Sequence, residues 1–159
     1  VQTCALPILH CPIDILAIPS SISGAIENGE EYIKPYLLEA ILDKDDNIVK
    51  EYSTKKERIF SGTTSKIIMN GMNKVVSSGT GKMANVDGVE VGGKTGTANT
   101  SDENSVHCWF TGYYKYNNKY YTVVVIVPNI KSVNDKGQDL GGSNTAAPIF
   151  SDIVRNIVK

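Results

Sequence analysis

The stretch DGVEVGGKTGTANTS, residues 87–101, decides the fold because it can be read in two incompatible ways. Residues 88–95 fit the pattern G-x-x-x-x-G-K-[ST], the glycine-rich loop that binds nucleotide phosphates in many proteins. Residues 94–97 can instead be read as a Lys-Thr-Gly-Thr run on an extended strand. The residues before and after the stretch distinguish these two readings.

A phosphate-binding loop needs a buried strand before its first glycine and a helix that begins at its Lys-Thr pair, because the helix N-terminus supplies the amide groups that hold phosphate. Here the preceding GKMANVDG is polar and turn-like, and the following GTANTSDENS is rich in residues that interrupt helices. The apolar run YTVVVIV ends in Pro128-Asn129, whereas a magnesium-binding strand would end in aspartate. The surroundings therefore argue against nucleotide binding.

Read as a strand, VEVGGKTGTA places Lys94 and Gly96 on one side and Thr95 and Thr97 on the other. Its glycines are tolerated where another backbone approaches closely, so we expect an edge to which a peptide substrate adds as a further strand. Lys94 would supply positive charge beside a nucleophile or a substrate carboxylate. The threonine hydroxyls would bind that carboxylate, and the Thr97 N–H would stabilise an oxyanion. The alternative is that Lys94 is only a solvated charge at a strand edge.

Length and composition limit the other possibilities. A chain of 159 residues with 41% hydrophobic residues holds one globular domain. Sixteen basic residues against seventeen acidic ones leave a net charge of -1, so we expect no nucleic-acid partner and no anionic membrane partner. The apolar stretch CALPILHCPIDILAI lacks the basic start and the cleavage site of a signal peptide, and we expect no membrane contact from this segment. Three cysteines leave the redox compartment open.

The periodicity predicts an α/β fold of the α+β type, with an antiparallel sheet flanked by helices. Helices are expected over residues 13–28 and 63–77, and a hairpin between 32–43 and 47–53. Residues 106–116 and 119–127 are expected to pair across a turn at Asn117-Asn118, because asparagine tolerates the positive φ of a tight hairpin. A closing helix carries an apolar stripe that we expect to be core throughout: Ala146, Ile149, Phe150, Ile153, Val154, Ile157 and Val158.

Two further patterns in the second half are expected to be structural. His107 beside Cys108 resembles a nucleophile pair, but adjacent residues of a strand point to opposite faces. The tyrosines between residues 113 and 121 resemble a stacking platform for bases. With a near-neutral charge and a hairpin placement, cross-strand packing explains them better.

The strand reading brings out a resemblance to the transpeptidase family of penicillin-binding proteins, of the transpeptidase-only, high-molecular-weight kind. Six segments carry it in the family's order: PIDILAIPSSISGAIENG, MNGMNKVVSSGTGKMA, VGGKTGTA, HCWFTGYY, YYTVVVIV and GGSNTAAPIFSDIVRNI. The resemblance covers about residues 11–159. It implies part of the fold shared by serine β-lactamases and penicillin-binding transpeptidases. Residues 1–10 resemble nothing in the family, and we expect them to be a foreign segment.

The resemblance also implies a mechanism, in which Lys94 and Thr97 act in catalysis and Lys94, Thr95, Gly96 and Thr97 bind substrate. The complete enzyme would use the serine of an S-x-x-K motif to attack the D-Ala-D-Ala bond of peptidoglycan stem peptides, and would be trapped by β-lactams. It needs no cofactor or metal, and works on the extracytoplasmic face of the bacterial membrane.

This chain lacks a convincing S-x-x-K or S-x-N motif upstream of Lys94. Ser53–Lys56 fits the first pattern but lies in a strand-like run, and Ser132–Asn134 fits the second but follows Lys94. We therefore expect a C-terminal part of a transpeptidase that is inactive alone. The alternatives are part of a serine β-lactamase or β-lactam sensor, and a non-catalytic fold fragment.

Overall fold

The computed structural model describes residues 21–29, 31–34, 38–53, 55–102 and 104–159. Residues 21–27 are helical (α1). The elements that follow are β1 (Glu31–Ile33), β2 (Ala40–Leu42), β3 (Ile48–Glu51), β4 (Lys56–Arg58), α2 (Gly62–Ser77), a 3₁₀ turn (Lys82–Ala84), β5 (Val91–Asn99), β6 (Ser105–Tyr116), β7 (Lys119–Lys131) and α3 (Ala146–Ile157). The mixed architecture of helices and antiparallel sheets agrees with the predicted fold class.

The main sheet has the order β5-β6-β7, and both strand pairs are antiparallel. Strands β6 and β7 are joined by Asn117 and Asn118, whose φ angles are 49° and 61°. Positive φ at both central residues matches the twist of a two-residue hairpin, which explains why asparagine occupies both positions. The predicted hairpin is confirmed.

The tyrosines of this hairpin pack against one another. The rings of Tyr114 and Tyr121 stack with centroids 5.2 Å apart, and those of Tyr113 and Tyr120 meet edge to face at 5.6 Å. Tyr114 and Tyr121 are directly opposite in the register. Cross-strand aromatic pairs stabilise a sheet, so the predicted packing role is confirmed.

His107 lies at an irregularity of the β6–β7 pair, where the register shifts between Val106 and Cys108. Its Nδ1 accepts a hydrogen bond of 3.1 Å from the backbone N–H of Asn129, which has a φ of 53°. Cys108 is fully buried. His107 therefore holds the backbone of β7 by a hydrogen bond and Cys108 is part of the buried interior, so both have the expected structural role.

Helix α2 begins at a side-chain cap. The Ser61 hydroxyl accepts a hydrogen bond of 3.2 Å from the Thr64 N–H, and this satisfies one of the free donors of the first turn. At the other end, the N–H groups of Ser78 and Gly79 donate to the Lys74 carbonyl. The predicted helix 63–77 is confirmed. Of the predicted helix 13–28, residues 21–27 are helical, and residues 13–20 lie outside the described part of the chain.

Helix α3 is confirmed, but the prediction that its whole apolar stripe is core was wrong. Ala146, Phe150 and Val154 are fully buried. Ile149, Ile153 and Ile157 are 43%, 37% and 49% exposed. Ala147 and Ser151 are buried as well, so the buried face of the helix runs along residues 146–147, 150–151 and 154. The three isoleucines lie beside this face.

The first half of the described chain forms two small sheets. Strands β2 and β3 pair antiparallel within the predicted hairpin. Strands β1 and β4 also pair antiparallel, with an exposed ion pair of 3.2 Å between Lys56 and Glu31. This second pair was not predicted, because it joins short charged strands about 25 residues apart.

Apolar clusters lie on both faces of the main sheet. On one face, the rings of Phe110 in β6 and Phe150 in α3 are 4.7 Å apart within the larger cluster. On the other face, Tyr113 packs against Ile26 of α1 and Met72 of α2. The Ser65 hydroxyl of α2 donates to the Ile26 carbonyl and joins the two helices. The sheet is therefore held between helices, and its edge β5 determines where a site can open.

Candidate active site

Strand β5 changes from buried to exposed at Lys94. Residues 91–93 are buried and Lys94 is exposed. Helix α2 covers the buried part, and its Asn73 accepts a hydrogen bond of 2.7 Å from the Tyr113 hydroxyl. A Cβ atom on Gly92 would lie 2.7 Å from Asn73 Oδ1 and 2.6 Å from the Tyr113 ring, so only glycine allows this approach. The Lys-Thr-Gly-Thr run begins where this cover ends.

The backbone of the run points outward at alternate residues. The Lys115 N–H donates to Glu90 O and the Thr100 N–H donates to Ser105 O, so the even-numbered positions of β5 form the hydrogen-bonded pairs with β6. The N–H and C=O groups of Thr95 and Thr97 are then directed away from β6. Because β5 is the edge strand of the sheet among the described residues, these groups face the open side.

Lys94 and Thr111 are directly opposite across β5 and β6 and share one face of the sheet. The Lys94 ammonium donates a hydrogen bond of 2.7 Å to the Thr95 carbonyl. The Thr111 hydroxyl lies 3.0 Å from that of Ser23 in α1. A positive charge and two hydroxyl groups therefore lie on the same side of the strand.

A groove of about 640 Å³ opens on this side, between α1, α2 and the sheet. Its wall is mostly apolar, and Lys94, Thr111 and Ser23 contribute polar groups. The apolar residues are Ile22, Ile26, Ile68, Met72 and Val75. Such a surface can hold a small molecule or a side chain beside the lysine.

Thr95 and Thr97 lie on the opposite face from Lys94, as the period of two predicted. The Thr95 hydroxyl lies 2.8 Å from the Thr80 hydroxyl, and the Thr97 hydroxyl accepts a bond of 3.1 Å from the Gly142 N–H. Sequence reasoning placed Thr80 and Gly142 in the quoted family segments but gave them no role. They come from loops 15 and 45 residues away from their partners, and no local pattern indicates such contacts.

The two look-alike motifs lie elsewhere. Lys56 belongs to strand β4 and pairs with Glu31, so Ser53 and Lys56 do not form the helical turn that an S-x-x-K nucleophile requires. Ser132–Asn134 follows β7 in a loop, where the Ser132 N–H donates to Asn104 O.

Within the described ranges, no three His, Cys, Asp or Glu side chains lie close enough together to hold a metal ion. None of the helices in the described part of the chain is both long and apolar enough to span a bilayer.

Comparison with known proteins places this geometry in a family. The sequence pattern of the family described as "Penicillin binding protein transpeptidase domain" matches residues 20–155. Stage V sporulation protein D of Bacillus subtilis (strain 168) is 33% identical over 144 residues, which cover 86% of this chain and 21% of that protein. A peptidoglycan D,D-transpeptidase FtsI homolog of Mesostigma viride is 24% identical over 161 residues, which cover 88% of this chain and 26% of that protein.

The fold agrees with these matches. The structure of penicillin binding protein 3 from Mycobacterium tuberculosis, complexed with aztreonam, has a TM-score of 0.70 to this chain at 24% identity. The match covers 87% of this chain and 33% of that one. The chain spans about a quarter of the length of the curated relatives named above. Since the family pattern covers residues 20–155 of 159, this chain belongs to the penicillin-binding protein transpeptidase domain family.

Proposed function

We propose that this chain forms one wall of the active site of a peptidoglycan D,D-transpeptidase, with Lys94, Thr95, Gly96 and Thr97 as its substrate-binding segment. One observation carries the proposal: the run is extended along the exposed part of an edge strand, and the backbone groups of Thr95 and Thr97 are directed to the open side. A peptide laid along this edge gains backbone hydrogen bonds as a further strand.

The segment would act in catalysis at two points. The Thr97 N–H would donate to the oxyanion that forms when a nucleophile attacks the substrate carbonyl, and the Lys94 ammonium would stabilise negative charge beside the nucleophile. The hydroxyls of Thr95 and Thr97 would donate to the C-terminal carboxylate of the stem peptide. Catalysis would then depend on Lys94 and Thr97, and substrate binding on all four residues.

The proposed reaction passes through an acyl-enzyme. A serine elsewhere in the complete protein attacks the carbonyl carbon of the D-Ala-D-Ala bond, and the terminal D-Ala leaves as an amine after it has accepted a proton. An amine of a neighbouring stem peptide then attacks the ester, which forms the cross-link and releases the serine. Attack on a β-lactam opens the ring without a leaving group, so a stable adduct remains. The aztreonam complex of the structural relative supports β-lactam binding.

Neither Ser53 nor Ser132 supplies the nucleophile in this proposal, so the chain by itself is inactive and the complete protein works on the extracytoplasmic face of the membrane. The test is labelling with a fluorescent penicillin, followed by denaturing electrophoresis. We expect covalent labelling of the full-length gene product and none of this chain. Labelling of the isolated chain would place a nucleophile within it. Absence of labelling in the full-length product would contradict the proposed function, and rapid loss of the adduct would indicate a β-lactamase.

A further inference from the structure

The hydroxyls of Thr95 and Thr97 are each held from behind by a different loop. Thr80 lies between α2 and the 3₁₀ turn, and its hydroxyl is 2.8 Å from that of Thr95. Gly142 lies just before α3, and its N–H donates to Thr97 Oγ1 at 3.1 Å. Both contacts come from outside the sheet, on the face opposite Lys94. Neither is required to form β5, which is already paired with β6.

Gly142 fixes the role of the Thr97 hydroxyl. A backbone N–H can only donate, so Thr97 Oγ1 is the acceptor and keeps its own proton for another partner. Thr97 is exposed, and that proton can therefore reach a ligand at the strand edge. A Cβ atom on Gly142 would lie 2.2 Å from Trp109 O and 2.6 Å from Gly96 O, so only glycine brings the N–H this close.

The loop around Gly142 is itself braced. The Asn144 side chain accepts a bond of 2.9 Å from the Gly141 N–H and donates one of 2.9 Å to Asp139 O. The Thr145 hydroxyl donates to the Gly141 carbonyl at 2.6 Å. These side chains hold the backbone of the loop against β5.

The loop of Thr80 is anchored on the end of α2. The Gly79 N–H donates to the carbonyls of Lys74 and Val75, and the Gly81 N–H donates to the Val75 carbonyl at 2.9 Å. Thr80 is thus held between two anchored glycines. When an anion accepts the proton of Thr95, only Thr80 can donate within the hydroxyl pair. Hydrogen bonds in such a chain polarise one another, which strengthens the bond to the anion.

We propose that Thr80 and Gly142 are positioning residues that fix Thr95 and Thr97 as paired hydroxyl donors toward the carboxylate of the substrate. The inference rests on the proposed function and deepens it: selectivity for a carboxylate-bearing substrate comes from two loops outside the Lys-Thr-Gly-Thr run. The same geometry predicts that the loss of either loop contact weakens recognition of the carboxylate and leaves the reacting carbonyl unaffected.

The test compares acylation of the full-length gene product by benzylpenicillin and by its methyl ester, which lacks the charge. Thr80→Val keeps the size of the side chain and removes the hydroxyl. We expect the second-order rate constant for benzylpenicillin to fall roughly tenfold, as for the loss of a hydrogen bond to a charged group, while that for the ester stays almost unchanged. Thr80→Ser should restore the benzylpenicillin rate. Ser78→Ala, in the same loop, is the matched control and should not change either rate.

Asn144→Ala tests the other loop without adding an atom near β5, and we expect the same selective loss for benzylpenicillin. Equal losses for both compounds, no loss in either variant, or a failure of Thr80→Ser to restore the rate would each overturn the inference. If the wild-type protein is acylated by neither compound, the proposed function fails and the inference fails with it. If the wild-type protein is acylated but the variants show no selective loss for benzylpenicillin, the inference alone fails and the proposed function stands.

Discussion

At the residue scale, Gly112 and Gly71 differ in how much space surrounds them. A Cβ atom on Gly112 in β6 would lie 2.5 Å from Gly92 O and 2.8 Å from the Phe110 ring. A Cβ atom on Gly71, in the middle of α2, would have no neighbour within 4 Å. Gly112 has no room for a side chain, whereas a side chain at Gly71 would meet no other atoms.

We therefore expect Gly112→Ala to lower the free energy of unfolding by about 1–3 kcal/mol, because strand β6 must move away from β5. Gly71→Ala should raise it by about 1 kcal/mol, since alanine has the higher helix propensity. Urea midpoints of this chain, with unchanged slopes, measure both. Equal effects at the two positions would contradict the contact geometry.

Lys94 carries the only positive charge of the proposed substrate-binding segment. In the full-length protein, Lys94→Ala should cost about 2–4 kcal/mol in the acylation step, because a positive charge beside the developing negative charge is lost. The measurement is the second-order rate constant of penicillin acylation, with Lys82→Ala, at another exposed lysine, as control. A loss below about tenfold would make Lys94 a structural residue of the strand edge.

The candidate site was predictable only in part at this scale. Lys94, Gly96 and the two threonines follow from one local pattern, because alternation along a strand is a short-range property. The partners of the threonines, Thr80 and Gly142, are set by how α2 and α3 dock on the sheet. A sequence read locally contains no signal for such docking, and this is why both contacts were missed.

At the scale of elements, the stability of α2 depends on its N-cap residue, Ser61. Ser61 caps the Thr64 N–H at 3.2 Å. Ser61→Ala leaves that donor without its side-chain partner and should lower stability by about 1 kcal/mol. Ser77→Ala, at the last residue of the same helix, should change stability less. Thermal unfolding followed by circular dichroism compares the two variants, and an equal effect would show that the cap contributes nothing.

Elements with local signals were predicted well, and elements with distant partners were not. The turn at Asn117-Asn118 was predictable because positive φ selects particular residue types. The pairing of β1 with β4 was not, since the β2–β3 hairpin separates Glu31 from Arg58 in the sequence and no local pattern links the two strands. The stripe of α3 gave the helix correctly, but its spacing does not reveal how much of the helix surface the sheet covers.

At the scale of the whole molecule, Glu27 joins α1 to the main sheet. The Thr122 hydroxyl of β7 donates to Glu27 Oε1 at 2.9 Å. Burial raises the pKa of the Glu27 carboxyl from 4.5 to about 7, against the lowering effect of this hydrogen bond. Because the pKa is higher in the folded state, the folded protein holds the proton more tightly than the unfolded chain.

The stability that this proton contributes is fully present below the pKa of the unfolded chain and is lost as the pH rises through about 7. Glu27→Gln keeps an oxygen that accepts from Thr122 and removes the titration. We expect the wild-type protein to lose stability relative to this variant between the two pKa values, 4.5 and about 7. Urea midpoints of both proteins on either side of that interval measure the difference. Parallel pH profiles would contradict the expected shift.

The buried thiol of Cys108 gives the molecule a natural reporter. Cys108 is directly opposite Thr97 in the strand register and has no exposed surface, so a thiol reagent reaches it only after the packing around β6 opens. In a chain with Cys4→Ser and Cys11→Ser, the rate of modification in excess reagent would equal the rate at which this packing opens. In the full-length protein, slower modification of Cys108 after acylation by a β-lactam would show that the bound ligand stabilises the packing around this thiol.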